Sequence, residues 1–254
     1  MKKVVIIKDI KIGEGMPKVC VPIVGKSITE IIEEANFIKN IDCDVVEWRG
    51  DFFDNIDDIS KVKIVLEKIR EIINDKPILF TFRSFNEGGE KELSEDLYFE
   101  LNNTIAKTKL IDIIDVELFK DHKKVKELVK VAHDNFVVVI ISNHDFKNTP
   151  KKEEIINRLR KASELGADIP KIAVMPNCVE DVINLLDSTR IAKEKYIENP
   201  IITISMGDKG IISRLSGELF GSSMTFGIAN KASAPGQISV VELRKVLEIL
   251  NRNL

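Results

Sequence analysis

Cysteine is scarce: the 254 residues hold three, Cys20, Cys43 and Cys178, far apart and never as Cys-x-x-Cys. That spacing excludes a zinc ribbon and a redox pair, and it predicts three reduced thiols in a cytoplasmic protein. A basic excess is missing too. Lys and Arg number 38 against 41 Asp and Glu, a net charge of −3, with no basic run of the kind that grips nucleic acid. Long apolar runs are absent: the longest, such as Val137–Ile141, have the length of a strand, so no membrane span is expected. The opening Met-Lys-Lys is followed by Lys8, Asp9 and Lys11, which argue against a signal peptide. No internal repeat, low-complexity tract or linker divides the chain. What remains is a folded chain whose 44% hydrophobic residues suffice for a large core.

The dominant pattern is alternation. Runs rich in Val, Ile and Phe recur at Lys18–Val24, Asp44–Trp48, Pro77–Phe82, Ile111–Glu117, Phe136–Ser142, Ile169–Met175, Pro200–Ser205 and Ser223–Phe226. Continuous apolar runs of strand length read as parallel strands covered by helices. Helix-sized amphipathic stretches separate them. Ser27 with Glu30 and Ser239 with Glu242 are capping-box patterns, and Thr149-Pro150 reads as an N-cap followed by an N1 proline. About eight βα units in this length predict a (β/α)8 TIM barrel, an α/β fold, as a single domain over residues 1–254. A doubly wound open sheet is the alternative, but Val24-Gly25-Lys26-Ser27 lacks Gly-x-Gly-x-x-Gly. Val4–Ile7 and Asp9–Ile12 read as a β-hairpin within residues 1–14. It has no place among the eight strands and is expected to plug one barrel end.

Side chains alternate faces along a strand, so parity predicts what lines the interior. Val45, Glu47 and Arg49 share one face of their strand; Leu79, Thr81 and Arg83, and Ile113, Asp115 and Glu117, do so on the next two. Ile140, Ser142 and His144 group together if the fifth strand persists past Ser142, and Lys171, Ala173 and Met175 follow on the sixth. The opposite faces are apolar and should meet the helices. The interior therefore receives Glu47, Arg49, Arg83, Asp115, Glu117, His144 and Lys171. Several lie at carboxyl ends of strands, where barrel enzymes place their chemistry. Buried charge is costly unless paired or used.

Lys171 is the most informative. Burial and neighbouring cations favour the neutral form of a lysine, and a neutral amine adds to carbonyls, which makes a Schiff base possible. Pro170 before it suggests a position low in the barrel, suited to a substrate that enters end-on. His144, in Ser142-Asn143-His144-Asp145-Phe146, is a candidate general acid/base. Glu87, in Arg83-Ser84-Phe85-Asn86-Glu87-Gly88-Gly89, is placed to orient that imidazole. His122 and His133 read as surface residues. After the seventh strand, Ser205-Met206-Gly207-Asp208-Lys209-Gly210 permits close backbone approach, and Arg214 adds a fork suited to a carboxylate. Ser233-Ala234-Pro235-Gly236-Gln237 is a turn-rich rim loop that could act as a lid.

Joint order and spacing of these motifs resembles the type I 3-dehydroquinate dehydratase family. The carriers are Glu47-Trp48-Arg49, Thr81-Phe82-Arg83-Ser84 with Glu87-Gly88-Gly89, Ser142 to Phe146, and Pro170-Lys171-Ile172-Ala173-Val174-Met175-Pro176. Ser205-Met206-Gly207, Ser213-Arg214, Phe220-Gly221-Ser222, Thr225-Phe226-Gly227 and Ser233 to Gln237 complete the match, which runs from about Val19 to the C-terminus. The resemblance implies a homodimeric, cytoplasmic barrel with no metal and no organic cofactor, serving the shikimate pathway of aromatic amino-acid biosynthesis. Its reaction is dehydration of 3-dehydroquinate to 3-dehydroshikimate by syn elimination. Lys171 would form the imine, His144 would move protons, and Glu87 would pair with His144. Arg214, Ser233 and Gln237 would hold the substrate carboxylate, while Glu47, Arg49 and Arg83 would contact ring hydroxyls. Asp115 and Glu117 receive no role beyond support of the lysine and arginine charges. The first strand reads Cys20-Val21-Pro22, where some members carry a serine near Val21.

Two other readings compete. A divalent-metal sugar isomerase or hydrolase would use Glu47, Asp115, Glu117 and His144 as ligands, although Lys171, Arg49 and Arg83 crowd the same mouth. A non-catalytic carboxylate-binding barrel would keep the fold without the chemistry.

Overall fold

Val/Ile-rich runs buried on both faces form one sheet of eight parallel strands, seen in a computed structural model that describes residues 3–229 and 233–254. A hairpin comes first, β1 (Val5–Ile7) with β2 (Ile10–Ile12). The sheet strands are β3 (Lys18–Ile23), β4 (Val45–Arg49), β5 (Ile78–Thr81), β6 (Ile113–Glu117), β7 (Val138–Asp145), β8 (Ile169–Val174), β9 (Ile202–Ser205) and β10 (Met224–Phe226). Each neighbours the next in chain order, and β10 returns to pair with β3. Between β9 and β10 the sheet meets itself at a bridge of Ile201 with Ser222, which makes the barrel. The helices are α1 (Ile28–Ile38), α2 (Ile59–Ile72), α3 (Glu95–Ala106), α4 (His122–Asp134), α5 (Lys152–Glu164), α6 (Val179–Lys195), the short α7 (Ile211–Leu215) and α8 (Gly217–Phe220), and α9 (Val240–Asn251).

Parity sorts the side chains as expected. Val46, Trp48, Phe80, Phe82, Ile114, Val116, Val139 and Ile141 face outward into one apolar layer with the helices. Cys20, Val45, Leu79, Ile113, Ile140, Ile169, Ile202 and Met224 face inward, near the amino ends of their strands, and pack with Ile7 and Ile12 of the hairpin. The hairpin thus plugs the amino-terminal end. Lys8 Nζ ties its turn to the carbonyls of Asn74 (2.9 Å) and Lys76 (3.2 Å), just before β5. All three cysteines are free thiols, two buried and Cys178 exposed. No helix among the described residues is long and apolar enough to cross a membrane.

Local signals held with small displacements. Ser27 caps α1 by accepting from Glu30 N, while Glu30 reaches back to Lys26 N rather than to the cap. Ser239 caps α9. Thr149 does not cap α5, whose N-cap is Lys151. Its hydroxyl donates instead to the Met175 carbonyl at 3.0 Å, tying the loop after β7 to the end of β8. Phe136 belongs to a turn with positive φ, outside β7, which in compensation runs on to Asp145.

Candidate active site

Above the apolar floor the inward positions turn polar. Register sets Glu117 beside Ser142, Ser142 beside Lys171, and His144 beside Ala173. Lys171 therefore lies two residues below the level of His144, about 7 Å along the strand. It is deep in the barrel, as Pro170 suggested. An open cavity of about 470 Å³ at the carboxyl end brings together all nine expected site residues: Glu47, Arg49, Arg83, Glu87, His144, Lys171, Arg214, Ser233 and Gln237. Phe146, Ala173, Ile204, Met206 and Phe226 supply apolar walls.

Lys171 is 5% exposed. Its Nζ donates to Asp115 Oδ2 at 3.1 Å and lies 4.7 Å from the centroid of the Phe226 ring. Its ion-pair partner is thus a carboxylate, where the sequence suggested neighbouring cations. Asp115, wholly buried, also takes Arg83 Nη2 (2.8 Å) and Ser142 Oγ (2.5 Å). Burial opposes its charge, yet Arg83 and Lys171, with the hydrogen bonds, hold its carboxyl at about 2. Arg83 further donates to Glu117 Oε1 (3.1 Å) and Ser142 Oγ (3.0 Å). Burial works against its charge as well, but Asp115, Glu117 and Glu87 raise its pKa above the ordinary arginine value. Glu117 is anchored in turn by Ser84 N (2.8 Å), Ser84 Oγ (2.7 Å) and Lys120.

His144 ends the inward row of β7. Its backbone N–H donates to Glu87 Oε2 at 2.9 Å and its Nδ1 lies 3.1 Å from the same oxygen. An ionised Glu87 accepts from both, which places the proton on Nδ1 and leaves Nε2 with a lone pair. Burial, then Arg83, Lys171 and Arg49, hold the imidazole well below the usual histidine value, so it is neutral. Burial pushes Glu87 up to about 7, against the nearby Arg83 and hydrogen bonds from Asn143 and His144. Gly88, with φ of +83°, permits the turn after Glu87, and an added Cβ there would meet the Phe146 ring at 2.2 Å.

Arg49 lies across Asp51, Nε to Oδ1 and Nη2 to Oδ2, both at 2.8 Å. Glu47 accepts from Thr81 Oγ1 at 2.8 Å. Arg214 differs from the other cations. It is 1% exposed and gives one hydrogen bond, Nη2 to the Pro235 carbonyl (2.9 Å), while its Nε and Nη1 have no partner among the described residues. Burial alone lowers it to about 10. A buried guanidinium with idle donors beside a cavity is built to receive a planar anion. Ser233 and Gln237 bond each other across the rim loop, Ser233 N to Gln237 Oε1 (2.9 Å) and Gln237 Nε2 to Ser233 Oγ (3.2 Å).

Several residues of this assembly carried no readable function in the sequence. Asp51 clamps Arg49 and also accepts from Arg83 N and Glu90 N. Its only signal was an acid two residues after an inward arginine. Parity sends Ser142 inward but names no partner for it, and Tyr98, whose hydroxyl accepts from Glu117 N, lies on α3 far from any motif. A divalent-metal site finds little room: Asp115 and Glu117 are occupied by Lys171 and Arg83, and no three metal-ligating side chains converge among the described residues.

Comparison with known proteins fits this geometry. The family model for type I 3-dehydroquinase matches residues 19–253. A 3-dehydroquinate dehydratase of Bacillus licheniformis is 57% identical over 254 residues, 100% of both chains. The crystal structure of the type I 3-dehydroquinate dehydratase of Clostridium difficile, with covalently modified comenic acid, superposes with a TM-score of 0.98 at 54% identity over 100% of both chains. That of 3-dehydroquinate dehydratase from Geobacillus kaustophilus HTA426 gives 0.96 at 38% identity, covering 99% of each. With all but residues 1–18 and 254 inside the family match, and near-identical folds at this identity, the chain belongs to the type I 3-dehydroquinase family.

Proposed function

We propose that Lys171, His144 and Glu87 carry out in this cavity the reaction of the family, the dehydration of 3-dehydroquinate to 3-dehydroshikimate on the shikimate pathway through a lysine Schiff base. The observation that carries the assignment is the convergence on one cavity of a buried lysine, a histidine held by a buried glutamate and a guanidinium with idle donors. Arg214, with Ser233 and Gln237 beside it, takes the substrate carboxylate. Glu47, Arg49 and Arg83 face the ring hydroxyls. So held, the ketone carbon reaches Lys171 at the cavity floor.

The Lys171 amine adds to the C3 carbonyl. His144 Nε2, which takes a proton from the Lys171 ammonium to free that amine, returns it to the carbinolamine hydroxyl; water leaves and an iminium remains. Asp115, ionised throughout, already faces that nitrogen, so the cation forms beside its counter-ion without reorganisation. The iminium draws electrons from the adjacent carbon and acidifies the C2 proton. His144 Nε2 takes it, giving an enamine and an imidazolium steadied by Glu87. The enamine electrons then expel the C1 hydroxyl, which leaves as water with the proton that His144 returns. One base serving both positions gives syn elimination. Water adds to the product iminium and frees Lys171. The same reading takes residues 1–254 as one catalytic domain, working as a cytoplasmic homodimer without metal or organic cofactor.

Turnover of purified variants tests these roles. Lys171→Ala is expected to abolish turnover. His144→Ala is expected to keep slow imine formation but to lose about 10²–10⁴-fold in kcat, the usual contribution of a positioned acid/base. Appreciable turnover by Lys171→Ala would sink the mechanism.

A further inference from the structure

Alternation along β7 sends Ser142 and His144 into the barrel and Asn143 outward, beneath α5. The outward positions before it, Val139 and Ile141, are apolar core. An asparagine that is 4% exposed there needs partners for both ends of its amide. It has them. Oδ1 accepts from Arg158 Nη1 at 2.8 Å, and Nδ2 donates to Glu87 Oε1 at 3.2 Å. A flipped amide would set oxygen against carboxylate and NH2 against guanidinium, so the orientation is fixed. Arg158 belongs to α5, outside the barrel. Glu154 holds its Nε at 2.7 Å, and its guanidinium lies 5.3 Å from the centroid of the Phe119 ring. Neither Asn143 nor Arg158 lines the cavity. An ordered chain of donors thus runs from the outer helix, through Asn143, to the oxygen of Glu87 opposite the one that faces His144.

We infer that Asn143 and Arg158 are positioning residues for the elimination: Arg158 fixes the Asn143 amide, and the amide fixes Glu87 so that Oε2 takes the His144 Nδ1 proton and Nε2 is left for substrate. The inference rests on the roles proposed above for His144 and Glu87. A guanidinium on Oδ1 polarises the amide and strengthens its N–H as a donor. Glu87 receives two other donors, the backbone and ring N–H of His144, and neither fixes the Oε1 end. The charged groups facing the pair are Arg83 from the segment after β5, Glu117 from β6, and Lys171 and Arg49 across the cavity from His144. Asn143 acts with Arg83 in favouring ionised Glu87. Removing its hydrogen bond raises the Glu87 pKa, so the Nδ1 acceptor is protonated, and lost, at a higher pH than in the wild type.

The test is kcat and KM against pH for the full chain, with borohydride trapping of 3-dehydroquinate on the same variants. Asn143→Ala is expected to lower kcat about tenfold, equivalent to one charge-assisted hydrogen bond, with KM little changed. Its acid limb moves to higher pH, and the Lys171 adduct still forms. Arg158→Met shifts kcat and the acid limb the same way by less, and Arg158→Lys, which restores a cationic donor to Oδ1, recovers most of the loss. Arg158 sits on an outer helix, so its variants carry the test even where Asn143→Ala fails to fold. Unchanged kcat and acid limb in Asn143→Ala and Arg158→Met, beside an inactive His144→Ala, overturn the inference alone. Loss of kcat together with Tm, without movement of the acid limb, shows a merely structural role and overturns it too. A near-normal His144→Ala removes the base itself, and with it the inference.

Discussion

Charge pairing explains which residues of this cavity are fixed and which are waiting. Arg49 has Asp51, Lys171 has Asp115, and Arg83 has Asp115 and Glu117. Arg214 has no carboxylate among the described residues, and two of its donors are idle. An unpaired buried charge is costly, and on the proposed reading a substrate carboxylate relieves that cost on binding. Arg214→Lys keeps the charge but loses the planar fork. It should raise KM by about tenfold or more, the worth of a bidentate pair, with a smaller change in kcat; steady-state kinetics read both. An unchanged KM would remove Arg214 as the carboxylate anchor. At this scale the sequence was informative about side chains and poor about partners. Parity alone sent Glu47, Arg49, Arg83, His144 and Lys171 inward, because period-2 alternation is a local property. That Asp115 would bridge a lysine and an arginine depends on the register between three strands, which alternation within one strand does not report. Asn143 escaped for a related reason: its parity is outward, and only the fold brings Arg158 over it.

Strands and long helices were legible because their apolar periods are long and clean. The stretch after β9 was not. Its glycines predicted close backbone approach, and the structure shows why: an added Cβ on Gly210 would meet the Ser205 carbonyl at 2.2 Å. The short α7 that carries Arg214 has too few residues for a period to show. The rim loop is built the same way. Gly207 N donates to the Pro235 carbonyl at 3.2 Å, Arg214 Nη2 donates to the same oxygen, and Arg49 Nη1 reaches the Ser233 carbonyl at 3.3 Å. Arg49 and Arg214 therefore clamp the loop that carries Ser233 and Gln237. Gly236 sits at φ of +73°, and a Cβ there would meet Gly207 O at 2.3 Å. Gly236→Ala should lift the loop, raising KM several-fold while leaving Tm nearly unchanged, since the loop lies outside the barrel core. Kinetics and calorimetry on one preparation separate the two. A large fall in Tm with normal KM would show that the loop supports the fold rather than the site.

Across the whole molecule the two barrel ends divide the labour. The amino end is closed by an apolar hairpin whose Ile7 and Ile12 continue the interior core. The carboxyl end carries nearly all the buried charge, and β4, β6 and β7 show it in their own sequences, each apolar at the start and ionisable at the finish, at Arg49, Glu117 and Asp145. That gradient made the barrel and its polar end readable in the sequence. Closure between β9 and β10 was hardest to read, because it rests on a bridge of Ile201 with Ser222 beside the shortest sheet strand. The central claim is that the lysine at the meeting point of these gradients bonds covalently to the substrate. It is tested most directly by borohydride reduction of the protein mixed with 3-dehydroquinate, followed by intact and peptide mass. A stable adduct confined to the peptide bearing Lys171, and absent from Lys171→Ala, is the expected result. Full consumption of substrate by folded protein with no adduct at Lys171 would contradict it.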